Sequence, residues 1–171
     1  MISARRLVLA GVLVSFLATS PSAAEPEESN AGLTALFVRY YTAVAQGRWS
    51  EAFQFLHDRL KIATEVRSPE ELAQRHSRDQ HALMQAFETF NRIEVAKTEM
   101  DLTSIKGYVK AAGDGSVAGE VTYDLLVFLK GPGRPLMYRV VTDVGLAEGR
   151  IIRITQHSMS RIDPGGVGDA V

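Results

Sequence analysis

Three groups of residues in this chain have types that do chemistry. The first is His76, Asp79 and His81, the closest cluster of metal-ligand types in the sequence. Two histidines grip one ion from a helix when they stand four residues apart. His76 and His81 are five apart, about 140° around a helix, and Arg75, Ser77, Arg78 and Gln80 surround them. That pattern reads as a solvated helix face, and no metal is expected. The second group is Asp143 and His157, which stand in segments rich in apolar residues together with Tyr123 and Tyr138. A carboxylate buried there would have its pKa raised and could serve as acid or base, with the histidine or a tyrosine assisting. The competing expectation puts these side chains on the wetter face of a half-exposed sheet. The third is the set of glycine clusters. Gly131-Pro132-Gly133 and Gly113-Asp114-Gly115 open no helix and carry no following Lys-Ser/Thr, so neither is a phosphate loop. No Gly-Xaa-Ser-Xaa-Gly nucleophile elbow occurs, and the chain has no cysteine, which removes thiol nucleophiles and thiolate metal sites.

Those residues must be held by elements of two kinds. Leu33, Leu36, Phe37, Tyr40, Tyr41 and Val44 fall on one stripe of a first helix, capped by Ser29 or Asn30 and ended by Gly47. Ser50 caps a second, with Phe53, Leu56 and Leu60 inward, and Trp49 plugs the corner between them. Ser68-Pro69-Glu70-Glu71 is a capping box with proline at the first helical position, which starts a third helix running to about Asn91. Its apolar side is Leu72, Leu83, Phe87 and Phe90, and its polar middle, Gln74 to Gln80, is a place for a break or for exposure. From about Ile93 the period becomes two. Strands are expected over Leu102–Ala112, Val117–Lys130, Leu136–Leu146 and Ile151–Ser160, separated by Gly113-Asp114-Gly115, Gly131-Pro132-Gly133 and Glu148-Gly149. Helices first and an antiparallel meander afterwards predict an α+β fold, with helices packed on a curved sheet.

This order, with the run from Arg39 to Ala52 (RYYTAVAQGRWSEA) as first helix and corner, resembles the nuclear transport factor 2-like superfamily, the cystatin-like α+β cone. The resemblance covers about Leu33 to Ile162 and implies an architecture, since such folds carry enzymes and non-catalytic binding modules alike. In its ketosteroid-isomerase-like members a tyrosine on the first helix works with an aspartate base after the second. Tyr40 falls at the tyrosine's place, Thr64 near the base's, and Glu65 one residue on. Asp101 and Asp143 are the nearest counterparts of the second acidic partner. The resemblance also implies a pocket on the concave sheet face, with Tyr40, Tyr123 and Tyr138 as ligand-binding side chains.

The N-terminus reads as an export signal. Arg5 and Arg6 precede the twelve uncharged residues Leu7–Ala18, and Ser22 and Ala24 occupy the small-residue positions before a cut. The apolar run is shorter than the roughly 20 residues of a membrane span, so cleavage is expected over a retained anchor. Arg5-Arg6 leaves both the general secretory and the twin-arginine route open. Cleavage after Ala24 leaves 147 of the 171 residues, a polar leader to Asn30, one domain from 31 to 162, and a Gly-rich flexible tail over 163–171. Loss of Arg5 and Arg6 sets 17 basic against 20 acidic residues, a net charge of about −3, with no run of four Lys/Arg, which excludes nucleic acid as a partner. The expectation is therefore a periplasmic or secreted soluble domain that binds a small apolar ligand or a protein partner without a cofactor and without catalysis of its own. A homodimer would form through the other sheet face. The alternatives are an isomerase, dehydratase or hydrolase using a pocket carboxylate such as Asp143 with Tyr40 or His157, and a scaffold component of an envelope complex.

Overall fold

The computed structural model describes residues 26–162. The export signal expected over residues 1–24 and the tail expected over 163–171 lie outside the described residues. The chain folds as helices α1 (Pro26–Ala45), α2 (Trp49–Gln54), α3 (Asp58–Ala63) and α4 (Pro69–Asn91), then strands β1 (Val95–Gly113), β2 (Ser116–Leu129), β3 (Leu136–Ala147) and β4 (Arg150–Ile162). The strands form one antiparallel meander in the order β1-β2-β3-β4. The fold is α+β, with the helices packed on one face of a curved sheet.

The expected stripe on α1 is its buried face: Leu33, Phe37, Tyr40 and Val44 are all enclosed. The helix starts at Pro26, earlier than a cap at Ser29 or Asn30 would set it, and those early residues are put to use. Asn30 Oδ1 accepts from the Val109 amide at 2.7 Å, and Thr34 Oγ1 accepts from the Gly107 amide at 2.8 Å. β1 is an edge strand, so these two amides have no strand to bond, and α1 supplies the acceptors that such an edge otherwise lacks. At its other end α1 closes as a Schellman motif. Gly47 is left-handed (φ +67°), its amide bonds the Val44 carbonyl, and the Arg48 amide reaches Ala43.

The second helix differs from expectation. It is two short helices, because residues 55–57 leave the helical path to pair with the free edge of β4. The Ile151 amide donates to the Phe55 carbonyl at 2.8 Å and the His57 amide donates to the Ile151 carbonyl at 2.9 Å, a parallel bridge that buries Leu56 beside Ile151. Arg48 rather than Ser50 stands at the start of α2 and makes no side-chain cap, while His57 Nδ1 caps α3. Both edges of the sheet are thus partly closed by helix-derived groups.

A second Schellman motif ends α3: the Val66 amide bonds Lys61 O and the Glu65 amide bonds Ile62 O. Here the left-handed residue is Glu65, at φ +56°. A side chain strains that conformation and glycine does not. Glu65→Gly is expected to raise stability by about 1 kcal/mol, read as a higher urea midpoint at unchanged slope.

α4 forms as its capping box predicts. The Glu71 amide donates to Ser68 Oγ at 3.2 Å, and the Arg67 amide to Glu71 Oε2 at 2.6 Å. It is unbroken through the polar middle. Two apolar clusters result. One joins α1, Leu56, Val66 and Leu72 to the near half of the sheet; the other sets Phe87 against Val95, Leu125, Val127, Tyr138 and Val140.

β1 begins at Val95 and is longer than the expected strand, with a wide irregularity between Asp101 and Lys106. The bulge is held locally. Asp101 Oδ1 accepts from the amide and hydroxyl of Thr103, and Ser104 Oγ accepts from the Asp124 amide at 2.7 Å, replacing the ladder partner the bulge removes. The turns at Asp114-Gly115 and Glu148-Gly149 have positive φ at both residues, the primed hairpin geometry that matches strand twist.

Candidate functional site

Pairing resolves which face each strand residue takes. Val121 lies opposite Thr142, Tyr123 opposite Val140 and Leu125 opposite Tyr138, and these face the helices. Their neighbours Glu120, Asp124, Arg139 and Asp143 face the other way. The concave face is filled along most of its length: Tyr123 packs at a tilt against Tyr41 (centroids 5.5 Å apart) and Tyr138 against Phe87 (5.0 Å).

Space remains at the β4 end. A cavity of about 230 Å³ opens between the helices and the sheet. α1 contributes Tyr40, Tyr41 and Val44, and α2 contributes Trp49. Leu56, Leu60, Thr64 and Val66 come from α3 and its flanks; Leu72, Arg75, His76 and Asp79 come from α4; Ile154 is the one sheet residue. The polar middle of α4 is therefore the cavity's polar wall. Residues 72, 76, 79, 83 and 87 follow one helical stripe, and its two polar members, His76 and Asp79, fall where the helix passes the cavity. Their expected place on a solvated face is corrected for His76, which is half-buried against Trp49 (ring centroids 5.5 Å). His81 points away and pairs with Gln85. Among the described residues no three such side chains converge as metal ligands.

The wall groups have defined states. Arg75 Nη1 donates to the Thr64 carbonyl at 2.9 Å, and its Nε stands 3.7 Å from Asp79 Oδ2. Burial pushes the Tyr40 phenol up to about 12, with the Arg75 charge opposing and Asp79 adding to the rise. Burial also raises Tyr41 well above its ordinary value, helped by Tyr123 and Tyr40. Burial lowers the His76 imidazole, with Asp79 opposing. At neutral pH the phenols keep their protons and the imidazole is uncharged. The Tyr40 hydroxyl has no hydrogen-bond partner among the described residues. No fully enclosed side-chain N or O atom among them lacks one, so this hydroxyl opens onto the cavity.

The other nominated residues lie elsewhere. Asp143 and His157 do come together, at 3.5 Å, but on the outer sheet face, where Lys110 bridges Asp143 and Glu120 at 3.0 Å to each. The Lys110 ammonium holds the Asp143 carboxyl below its usual range, the opposite of what burial in a pocket would do. Beside them Arg139 clasps the buried Asp124 through Nε (2.7 Å) and Nη2 (3.0 Å). Asp101 holds the β1 bulge, and its hydrogen bonds from Thr103 lower its pKa. Glu65 borders a separate surface hollow with Phe53, Asp58 and Lys61. Of the tyrosines, Tyr40 lines the cavity, Tyr123 backs it through Tyr41, and Tyr138 belongs to the Phe87 cluster.

No family model, curated protein or solved structure matches the chain.

Proposed function

We propose that this chain is an exported ligand-binding domain of nuclear transport factor 2-like shape, which takes a small, mostly apolar molecule into the cavity beside Tyr40 without transforming it. The observation that carries this reading is the Tyr40 hydroxyl: a side chain 8 % exposed, lying among Phe37, Tyr41 and Phe55, with its one polar atom presented to an open space. The hydroxyl is reached from the cavity and its donor is not used by the protein, so a ligand with an acceptor placed beside it gains a hydrogen bond there. The lining sets aromatic and aliphatic side chains beside the polar groups of Thr64, Arg75, His76 and Asp79, a mixed wall that suits a compact amphipathic molecule. Binding is favoured over acid–base catalysis because Asp143, Glu65 and Asp101 all lie away from Tyr40, and Asp79 at the mouth is mostly solvated. The export signal read in residues 1–24 supports a periplasmic or secreted location, and no described helix is long and apolar enough to cross a membrane.

The test is native mass spectrometry of the protein recovered from its host's exported fraction. A small-molecule adduct is expected, lost in Leu60→Trp, which fills the cavity, and retained in Lys110→Met on the outer face. A bare mass, together with no cavity-residue shifts when the protein is screened by NMR against single-ring compounds, would refute the proposal.

A further inference from the structure

Resting on that reading of the cavity, we infer that its ligand is a single-ring or similarly compact apolar molecule bearing one carboxylate, seated among Tyr40, Tyr41 and Trp49 with the carboxylate on Arg75. Size sets the first half of this statement. An apolar cavity of about 150 Å³ takes up benzene; at about 230 Å³, and open to solvent at Asp79, this one houses about one ring with a short arm. Aromatic faces on α1 and α2 and the aliphatic side chains of Val44, Leu56 and Leu72 give that ring its surroundings.

The polar wall sets the second half. Arg75 is held in place by its bond to the Thr64 carbonyl, and that bond uses one of the five guanidinium N–H donors. Asp79 is too far from Nε to be hydrogen-bonded at 3.7 Å and pairs with it by charge alone, so the guanidinium keeps N–H donors for a carboxylate that displaces that pair. The Tyr40 hydroxyl is a second donor facing the same space. A cationic ligand would sit against a fixed guanidinium. Asp79 is the one acceptor that opposes an anion, and its side chain is 69 % exposed; an exposed ion pair of this kind is weak and yields to a ligand that is better placed. The position of Asp79 therefore makes a sign-specific statement: its negative charge weakens the binding of an acid.

The experiment uses the intact protein with three probes of one shape, phenylacetate, phenylacetamide and phenethylammonium, measured by calorimetry and by NMR shifts of cavity residues. Phenylacetate is expected to bind best. Arg75→Met should weaken it about tenfold while leaving the amide unchanged, and Asp79→Asn should tighten it about threefold. If the amide equals the acid, or the ammonium exceeds it, or Asp79→Asn weakens the acid, the carboxylate inference is overturned while the cavity remains a ligand site. If all three probes leave the cavity residues unshifted, both the inference and the binding function fall.

Discussion

Gly107→Ala is expected to cost about 3 kcal/mol, a large share of the stability of a domain this size. A Cβ at Gly107 would lie 2.9 Å from the Thr34 backbone nitrogen and 2.9 Å from Leu33 Cγ. The leucine can turn; the helix backbone cannot move without consequence. Lifting α1 from β1 stretches the bonds from the Gly107 amide to Thr34 and from the Val109 amide to Asn30, each worth about 1 kcal/mol and more if the edge amide is left unpaired. Gly119 lies diagonally across the ladder from Gly107, on the same face, and a Cβ there would meet Tyr108 O at 2.7 Å and Leu33 Cδ2 at 2.8 Å. The two glycines form the notch that seats Leu33. Gly113→Ala is the control, since its Cβ would meet nothing within 4 Å. Urea midpoints should separate the variants clearly, and amide exchange at Val109 should quicken only in Gly107→Ala. Equal midpoints for the two substitutions would mean that close approach does not hold α1 on the sheet.

What the chain makes legible and what it hides follow from the range of the interactions. The stripe from Leu33 to Val44, the box at Ser68–Glu71 and the turns at Asp114-Gly115 and Glu148-Gly149 are decided by neighbours within a few residues, so periodicity and turn chemistry find them. The break between α2 and α3 is decided by Ile151, some hundred residues away, and nothing in Phe53-Leu56-Leu60 announces it. The notch at Gly107 and Gly119 left a readable mark, for glycine inside a strand signals close backbone approach. The cavity left a fainter one. His76 and Asp79 continue the stripe of Leu72, Leu83 and Phe87, yet their polar neighbours make the whole turn look solvated. Asp143 and His157 stand as a carboxylate and an imidazole among apolar residues. Alternation alone does not say which face of a strand meets the helices; the pairing of Val144 inward with Asp143 outward does.

Raising the pH through the range between 10 and 12 is expected to strip the protein of stability through the tyrosines behind the cavity. An unfolded tyrosine ionises near 10.0, and Tyr40 in the fold near 12. Between those values the native protein keeps a proton that the unfolded chain has released, so stability falls as pH rises. Below 10 neither state has lost the proton and this group contributes no slope. For Tyr40 alone the loss reaches about 2 kcal/mol at the top of the window, and Tyr41 and Tyr123, raised chiefly by burial as well, act with the same sign. Lysines also titrate in this range, so the informative quantity is the difference between the native sequence and Tyr40→Phe. Urea unfolding at intervals between about pH 9 and pH 12 should show the variant holding its stability further into alkali. Parallel loss in the two proteins would mean that Tyr40 ionises as freely folded as unfolded. The same phenol reports on the cavity itself. A carboxylate bound beside the Tyr40 hydroxyl would oppose a second negative charge there, so saturating phenylacetate should move the phenolate transition to still higher pH, and phenylacetamide should move it less.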